Sequence, residues 1–223
     1  MIFDTIEFLK KTNLFKNLDD INIDGMLEFL MPTIKEYEKN QIIVGQGNKV
    51  DKIGVIVSGT ILCIKDHYNG DTQILRIYKE LGVLSLDAIN TTFQTSPVSL
   101  ISKTNCIILF LNYSRLMDSN DVDSHIKEIV LKNNSEILGN DLVKLMYKID
   151  VLSKRTLEER VLTYLSVICE KKNTETIDIS MNQEQFAQYL CVNRSVLSKE
   201  LNRMRKNGII DYERNKYTIY KQS

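Results

Sequence analysis

The chain has 223 residues, 43% hydrophobic and 26% charged, with 29 basic and 29 acidic side chains that leave no net charge. That length favours two domains, and that composition excludes a disordered or low-complexity chain. The longest strongly apolar run, Cys106–Leu111, falls far short of the roughly 20 residues a membrane-spanning helix needs, and residues 1–11 hold no apolar run of signal-peptide length, so a cytoplasmic protein without a membrane partner is expected.

From Ile6 to Leu30 apolar residues recur at helical spacing, and Pro32 ends or interrupts the pattern. From Ile34 onward, short runs rich in Ile, Val and Tyr alternate with glycine, and six of the nine glycines (Gly45, Gly47, Gly54, Gly59, Gly70, Gly82) lie between residues 45 and 82. Such punctuation predicts many short strands. Tyr68-Asn69-Gly70-Asp71 predicts a hairpin, because Asn-Gly supplies the positive φ angles of a tight primed turn. Val98–Ser102 and Cys106–Leu111 are expected as a further strand pair that closes a small antiparallel barrel or roll.

Beyond Asn112 helical periodicity takes over. Leu138, Leu142, Leu145, Ile149 and Leu152 step by 4, 3, 4 and 3 residues, the a/d spacing of a heptad seam, with Asn140, Asp141, Lys144 and Lys148 as a solvated flank. The narrow seam predicts a dimer interface on this helix; packing against the protein's own roll is the alternative. Gly139 beside the seam costs about 1 kcal/mol against alanine, which either a close-approaching partner helix or a frayed first turn explains. Thr156-Leu157-Glu158-Glu159 then reads as a capping box that opens a helix to Lys171 and, with it, a second domain.

Asn182, with Gln185 three residues on, starts another short helix with Phe186 and Leu190 on its apolar face. Cys191-Val192-Asn193 interrupts the period, and a second helix runs from Arg194 to Asn207, stopped by Gly208. Two short helices joined by a tight turn, with small Ala187 where they approach, form a helix-turn-helix. Placing Leu197, Leu201 and Met204 inward turns Ser195, Ser198, Lys199, Asn202, Arg203 and Lys206 outward, with Arg194 at the exposed N-terminal edge beside Asn193. These are hydroxyl, amide and cationic donors, and they begin at a helix N-terminus, which favours phosphate. Arg194 and Lys199 are candidates for guanine edges in a major groove; Lys206 and Gln183 are candidates for phosphates, which position without specifying. Ile209–Glu213 and Lys216–Tyr220 flank Arg214-Asn215 as a wing. Cutting at Ser153 leaves 13 basic against 9 acidic residues on the C-terminal side and 16 against 20 before it, a local cationic excess of the kind a phosphate backbone selects.

The chain resembles the bacterial transcription regulators of the cyclic-AMP receptor protein and fumarate-nitrate regulator (CRP/FNR) type, essentially end to end. The matching residues are Tyr37, Gln41, Ile43, Gln46, Gly47 and Asp51, then Ile56-Val57-Ser58-Gly59, the heptad helix, and Val192, Arg194, Ser195, Leu197, Ser198, Glu200 and Leu201. The resemblance implies an α+β fold of three parts: an N-terminal antiparallel β-roll of the cyclic-nucleotide-binding jelly-roll kind with N-terminal helices (1–117), a helical region with a long dimerisation helix (118–152), and a C-terminal winged helix-turn-helix (153–223). It further implies a homodimer on palindromic double-stranded DNA, with reading heads about one helical turn, roughly 34 Å, apart. RNA polymerase is a further partner if the protein activates.

The effector pocket departs from the family pattern. Cyclic-nucleotide-binding members carry Gly-Glu-x-x-Leu and then Arg-Ser/Thr-Ala, whereas this chain reads Gly82-Val83-Leu84-Ser85-Leu86 and Ser96-Pro97-Val98, with no arginine between Arg76 and Arg115. A cyclic phosphate would lie there without its cation, which argues against cyclic AMP. Leu86-Asp87-Ala88-Ile89 is similar to the oxygen-sensing branch, but no cysteine precedes Cys63 to hold an iron-sulfur cluster. The only histidines, His67 and His125, stand in polar segments that do not suggest haem ligation. No cofactor or metal is expected, and the effector is an unidentified small molecule at those eight residues, or none. No Gly-rich phosphate loop, Ser/His/Asp set or metal-spaced cluster points to an enzyme. The competing reading is a metabolite-sensing module that docks protein rather than DNA; basic Lys199, Arg203 and Lys206 argue against it, since a protein-docking face is usually depleted in lysine at its core.

Overall fold

The computed structural model describes residues 4–68, 70 and 72–220. They form two compact units, the second of which takes the chain from Asp141 onward together with Thr72–Ile74.

The first unit opens with α1 (Thr5–Lys10) and α2 (Asp20–Leu30), not with one helical stretch from Ile6 to Leu30. Asp19 divides them: its carboxylate accepts from Asn22 N at 2.8 Å and starts α2 as an N-cap. The intervening Leu14, Phe15 and Leu18 are buried as core residues of a loop, which is why the apolar spacing runs on while the helix does not.

Eight strands follow among the described residues: β1 (Thr33–Tyr37), β2 (Ile42–Val44), β3 (Ile53–Ser58), β4 (Ile61–Asp66), β5 (Thr72–Tyr78), β6 (Val83–Leu84), β7 (Ser99–Ser102) and β8 (Cys106–Leu111). They build two four-stranded sheets, in the orders β1-β8-β3-β6 and β2-β7-β4-β5. The hairpin expected at residues 68–71 involves Asn69 and Asp71, which lie outside the described residues; β4 and β5 on either side of it are neighbours in one sheet.

The strands expected as a pair at Val98–Ser102 and Cys106–Leu111 both form, but they do not pair with each other. β7 joins β2 and β4, while β8 lies between β1 and β3, pairing Thr33 with Phe110 and Ile53 with Leu111. Lys103-Thr104-Asn105 is thus a corner that carries the chain from one sheet to the other. Gly59, in the turn after β3, packs onto this corner at φ +99, where a Cβ would meet Asn105 O at 2.5 Å.

Side chains of both sheets meet in an apolar cluster that includes Ile56, Ile61, Leu84, Leu100 and Ile108. The other face of the β8 sheet, through Ile53, Val55, Leu109 and Leu111, packs on α1, α2, α3 (Leu86–Ile89), α4 (Tyr113–Asp118) and Val130 of α5 (Ser124–Ser153). Burial on both faces explains why β3 and β8 read as near-continuous apolar runs. Asn133 of α5 is itself buried and donates to Leu14 O at 3.1 Å and Lys16 O at 2.9 Å, tying the helix to the loop after α1. Gly139 is in mid-helix with open space around it, so a frayed first turn does not account for it.

The second unit takes the end of α5, then α6 (Leu157–Lys172), β9 (Thr176–Asp178), α7 (Gln183–Tyr189), α8 (Arg194–Lys206), β10 (Ile210–Glu213) and β11 (Lys216–Ile219). Both expected capping boxes are present, Thr156 with Glu159 and Asn182 with Gln185. The wing is a sheet of order β10-β11-β9, whose third strand the sequence reading lacked. Phe186 is buried at its centre, 5.1 Å from the Tyr164 ring and 5.8 Å from the Tyr217 ring. Burial pushes the Tyr217 hydroxyl up to about 12, so it is neutral. Lys148, expected on a solvated flank, is buried instead, its Nζ 3.9 Å from the centre of the Tyr189 ring.

Candidate nucleic-acid interface

The interface is set by how α8 is anchored. Leu197, Leu201 and Met204 are each 0% exposed and fasten one face of α8 to the unit's core, so the opposite face is held outward. The preceding turn is tight: Val192 N donates to Ala187 O at 3.0 Å, and Cys191 adopts φ 58, in the left-handed region. α8 starts at Asn193, whose side chain makes no capping bond, and Gly208 at φ +69 follows its end.

Arg194, Ser195, Lys199, Asn202 and Lys206 are exposed together on this helix, with Asn193 at its start and Ser198 half-buried along one edge. Gln183 stands apart from them, half-buried at the first position of α7.

Arg203 is exposed but not available as a free cation. Its guanidinium bonds Glu158 of α6 at 2.5 Å and Glu200 at 2.6 Å, and Glu200 in particular holds its pKa above the ordinary arginine value. The outward step along the helix was correct for Arg203; its partner on α6 lies too far off in sequence to be foreseen. Arg203 ties α8 to α6. Two further groups were missed. Val196 is 48% exposed between Ser195 and Leu197 and offers a methyl surface of the kind that meets a thymine methyl. Tyr212 of β10 donates from its hydroxyl to Asn202 Oδ1 at 3.1 Å.

On α5 the heptad residues divide. Leu138 is half-buried against the roll's core, Leu145 and Leu152 are half-buried, and Leu142 and Ile149 stand 60% and 68% exposed. Met146, which the seam omitted, is 61% exposed with them. The eight expected effector residues do not share one environment. Leu84 and Val98 pack with the cluster between the sheets, whereas Val83 and Leu86 pack toward α1 and α2; for Val83 and Leu84 this is the alternation of a strand. Gly82 is half-buried, Pro97 is exposed and Ser85 is buried at φ 63. Ser96 is buried and spends its hydroxyl on Val98 O at 2.7 Å.

The chain thus combines an antiparallel roll, a long helix and a winged helix-turn-helix, in that order. Residues 34–119 match the cyclic nucleotide-binding domain model, and residues 159–221 match the Crp-like helix-turn-helix domain model. The chain belongs to the CRP/FNR family of transcription regulators. It is 23% identical to electron transport regulator A of Shewanella oneidensis, over 96% of this chain and 81% of that protein. It is 19% identical to the transcriptional activator protein anr of Pseudomonas aeruginosa, over 79% of this chain and 72% of that one. In fold it matches the c-di-GMP responsive global regulator CLP of Xanthomonas campestris, with a TM-score of 0.73 at 14% identity over 92% of this chain and 100% of that one. Among the described residues no helix is long and apolar enough to cross a membrane.

Proposed function

We propose that the protein is a homodimeric, sequence-specific DNA-binding transcription regulator, modulated by a small effector other than cyclic AMP in its β-roll. The observation that carries the reading is the α8 face, where Arg194, Ser195, Lys199, Asn202 and Lys206 are exposed on a helix whose other side is locked at zero exposure. A donor face on a rigid helix is what major-groove reading requires. Arg194 and Lys199 take base edges, Ser195, Ser198 and Asn202 line the same groove, and Lys206, Gln183 and Asn193 approach phosphates. Arg203 supports the reader from behind.

Dimerisation through α5 is supported by Leu142, Met146 and Ile149, three large apolar side chains within two helical turns, each at least 60% exposed in the single chain. Leu138, Leu145 and Leu152 extend that interface at its edges. The division of labour is 1–117 for effector sensing, 118–152 for dimerisation and 153–223 for DNA reading. An effector beside Leu84 and Val98, the two of those eight residues that share the cluster between the sheets, meets apolar groups, which suits a small uncharged molecule better than a phosphate. RNA polymerase is a partner if the regulator activates.

The test is binding to a random-sequence duplex at two salt concentrations. Binding that weakens steeply from 50 to 200 mM salt is expected, because Lys and Arg release condensed counterions. No affinity for duplex DNA even at low salt would favour a protein-docking module instead.

A further inference from the structure

Asn202 is exposed on α8, yet its amide is already oriented. The Tyr212 hydroxyl donates to its Oδ1 at 3.1 Å. Tyr212 is itself fixed: its ring stacks on Tyr217 with centroids 5.7 Å apart and planes 14° apart, and the Arg205 guanidinium lies over it at 5.8 Å. Arg205 is held in turn by Asp211 at 2.8 Å, and Tyr217 is 1% exposed and packs edge-on to Phe186. A continuous line of contacts therefore runs from the domain core to one amide on the reading face.

This matters because a free asparagine amide turns over about its terminal torsion at little cost, exchanging oxygen for nitrogen. A free asparagine offers acceptor and donor side by side, the pair that reads adenine N6 and N7. A phenolic hydroxyl is a better donor than acceptor, so it selects the orientation with Oδ1 toward β10 and leaves the NH2 group for outside partners.

We propose that Tyr212 is a positioning residue for DNA recognition: it makes Asn202 a donor-only contact that selects a base-edge acceptor, guanine O6 or N7, adenine N7 or thymine O4, and cannot make the bidentate adenine pair, which needs an acceptor for N6. The inference rests on α8 being the DNA-reading face. It adds a role for the wing, whose strand sets the chemistry of a side chain on the neighbouring helix.

The experiment uses the full chain. Duplexes recovered from a random-sequence pool by the wild-type protein are re-made with every single base-pair substitution and titrated by fluorescence anisotropy. Tyr212→Phe keeps the ring and loses only the hydroxyl. It should relax discrimination, from about tenfold to near none, at the same base pair as Asn202→Ala, and the double variant should go no further than Asn202→Ala. Affinity for random duplex and its salt slope should stay unchanged. Asn202→Asp keeps the acceptor for Tyr212 and removes the outward donors, so it should reject the preferred base and shift toward one that presents an amino group; this readout holds whether or not Tyr212→Phe folds. The proposal is overturned if Tyr212→Phe matches wild type across the panel, if the two single effects add, if Asn202→Ala weakens every duplex equally as a phosphate contact would, or if Asn202→Asp keeps the wild-type preference. Failure of the wild type to recover any duplex would sink the DNA-reading face itself, before any variant is used.

Discussion

Lys199, Arg203 and Lys206 carry the same charge on one helix, and the structure gives them different company. Lys199 and Lys206 are exposed, while Arg203 is ion-paired to Glu158 and Glu200. A cation already neutralised by two carboxylates adds little to counterion release. Lys206→Ala should therefore lower the salt slope of duplex binding by about 1 per subunit, whereas Arg203→Ala should leave it unchanged, as anisotropy titrations over a salt series will read. Lys199→Ala should relax base preference more than it lowers affinity for random duplex; equal loss on all sequences would refute a base contact there. The exposure of each of these side chains was legible in the sequence, because a helix turns by a fixed angle per residue and Leu197, Leu201 and Met204 fix its inward side. Their partners were not. Glu158 stands on α6 and Tyr212 on the wing, and nothing in local spacing tells which distant carboxylate or hydroxyl folding brings alongside.

The same contrast governs the elements. Both capping boxes could be read from four residues each, because the cap, its backbone partner and its reciprocating side chain are all local. Thr156→Ala should cost about 1 kcal/mol by thermal unfolding at neutral pH. Glu159 adds a pH dependence: hydrogen bonds from the Thr156 backbone N–H, at 3.0 Å, and from its side chain hold the carboxyl below its ordinary 4.5. A carboxylate depressed in the folded state contributes stability that is fully present above 4.5 and lost as the pH falls through the folded value. The stability difference between wild type and Glu159→Gln should accordingly be constant above that pH and shrink below it. Sheet pairing is not local, so adjacency in sequence wrongly suggested that β7 and β8 are partners. The helical spacing over Ile6–Leu30 misled for a related reason: Leu14, Phe15 and Leu18 are apolar because the core needs them, not because they lie on one helix face.

On the scale of the whole molecule, α5 shows how one periodic pattern can serve two purposes. Leu138 joins the roll's core, while Leu142 and Ile149 face outward, so the heptad stripe is partly spent inside the chain. Because Leu142 and Ile149 are more than half exposed, replacing both by glutamate should leave the fold of the chain intact and yield a monomer by sedimentation. Such a monomer should lose most of its affinity for palindromic duplex but keep its affinity for a single half-site. Phe186→Ala, by contrast, removes a fully buried ring between Tyr164 and Tyr217 and should cost about 3–5 kcal/mol, read as a loss of the second unit's unfolding transition.

The strand order of the roll has a consequence for biosynthesis. β7 and β8 are the last strands of the roll to be translated, yet each lies inside its sheet, between β2 and β4 and between β1 and β3. In a nascent chain β2 therefore has no neighbour in its sheet until Ser102 leaves the ribosome, and β1 has none until Leu111 does. The roll must wait, its earlier strands exposed to proteases and chaperones, and then close in one late event.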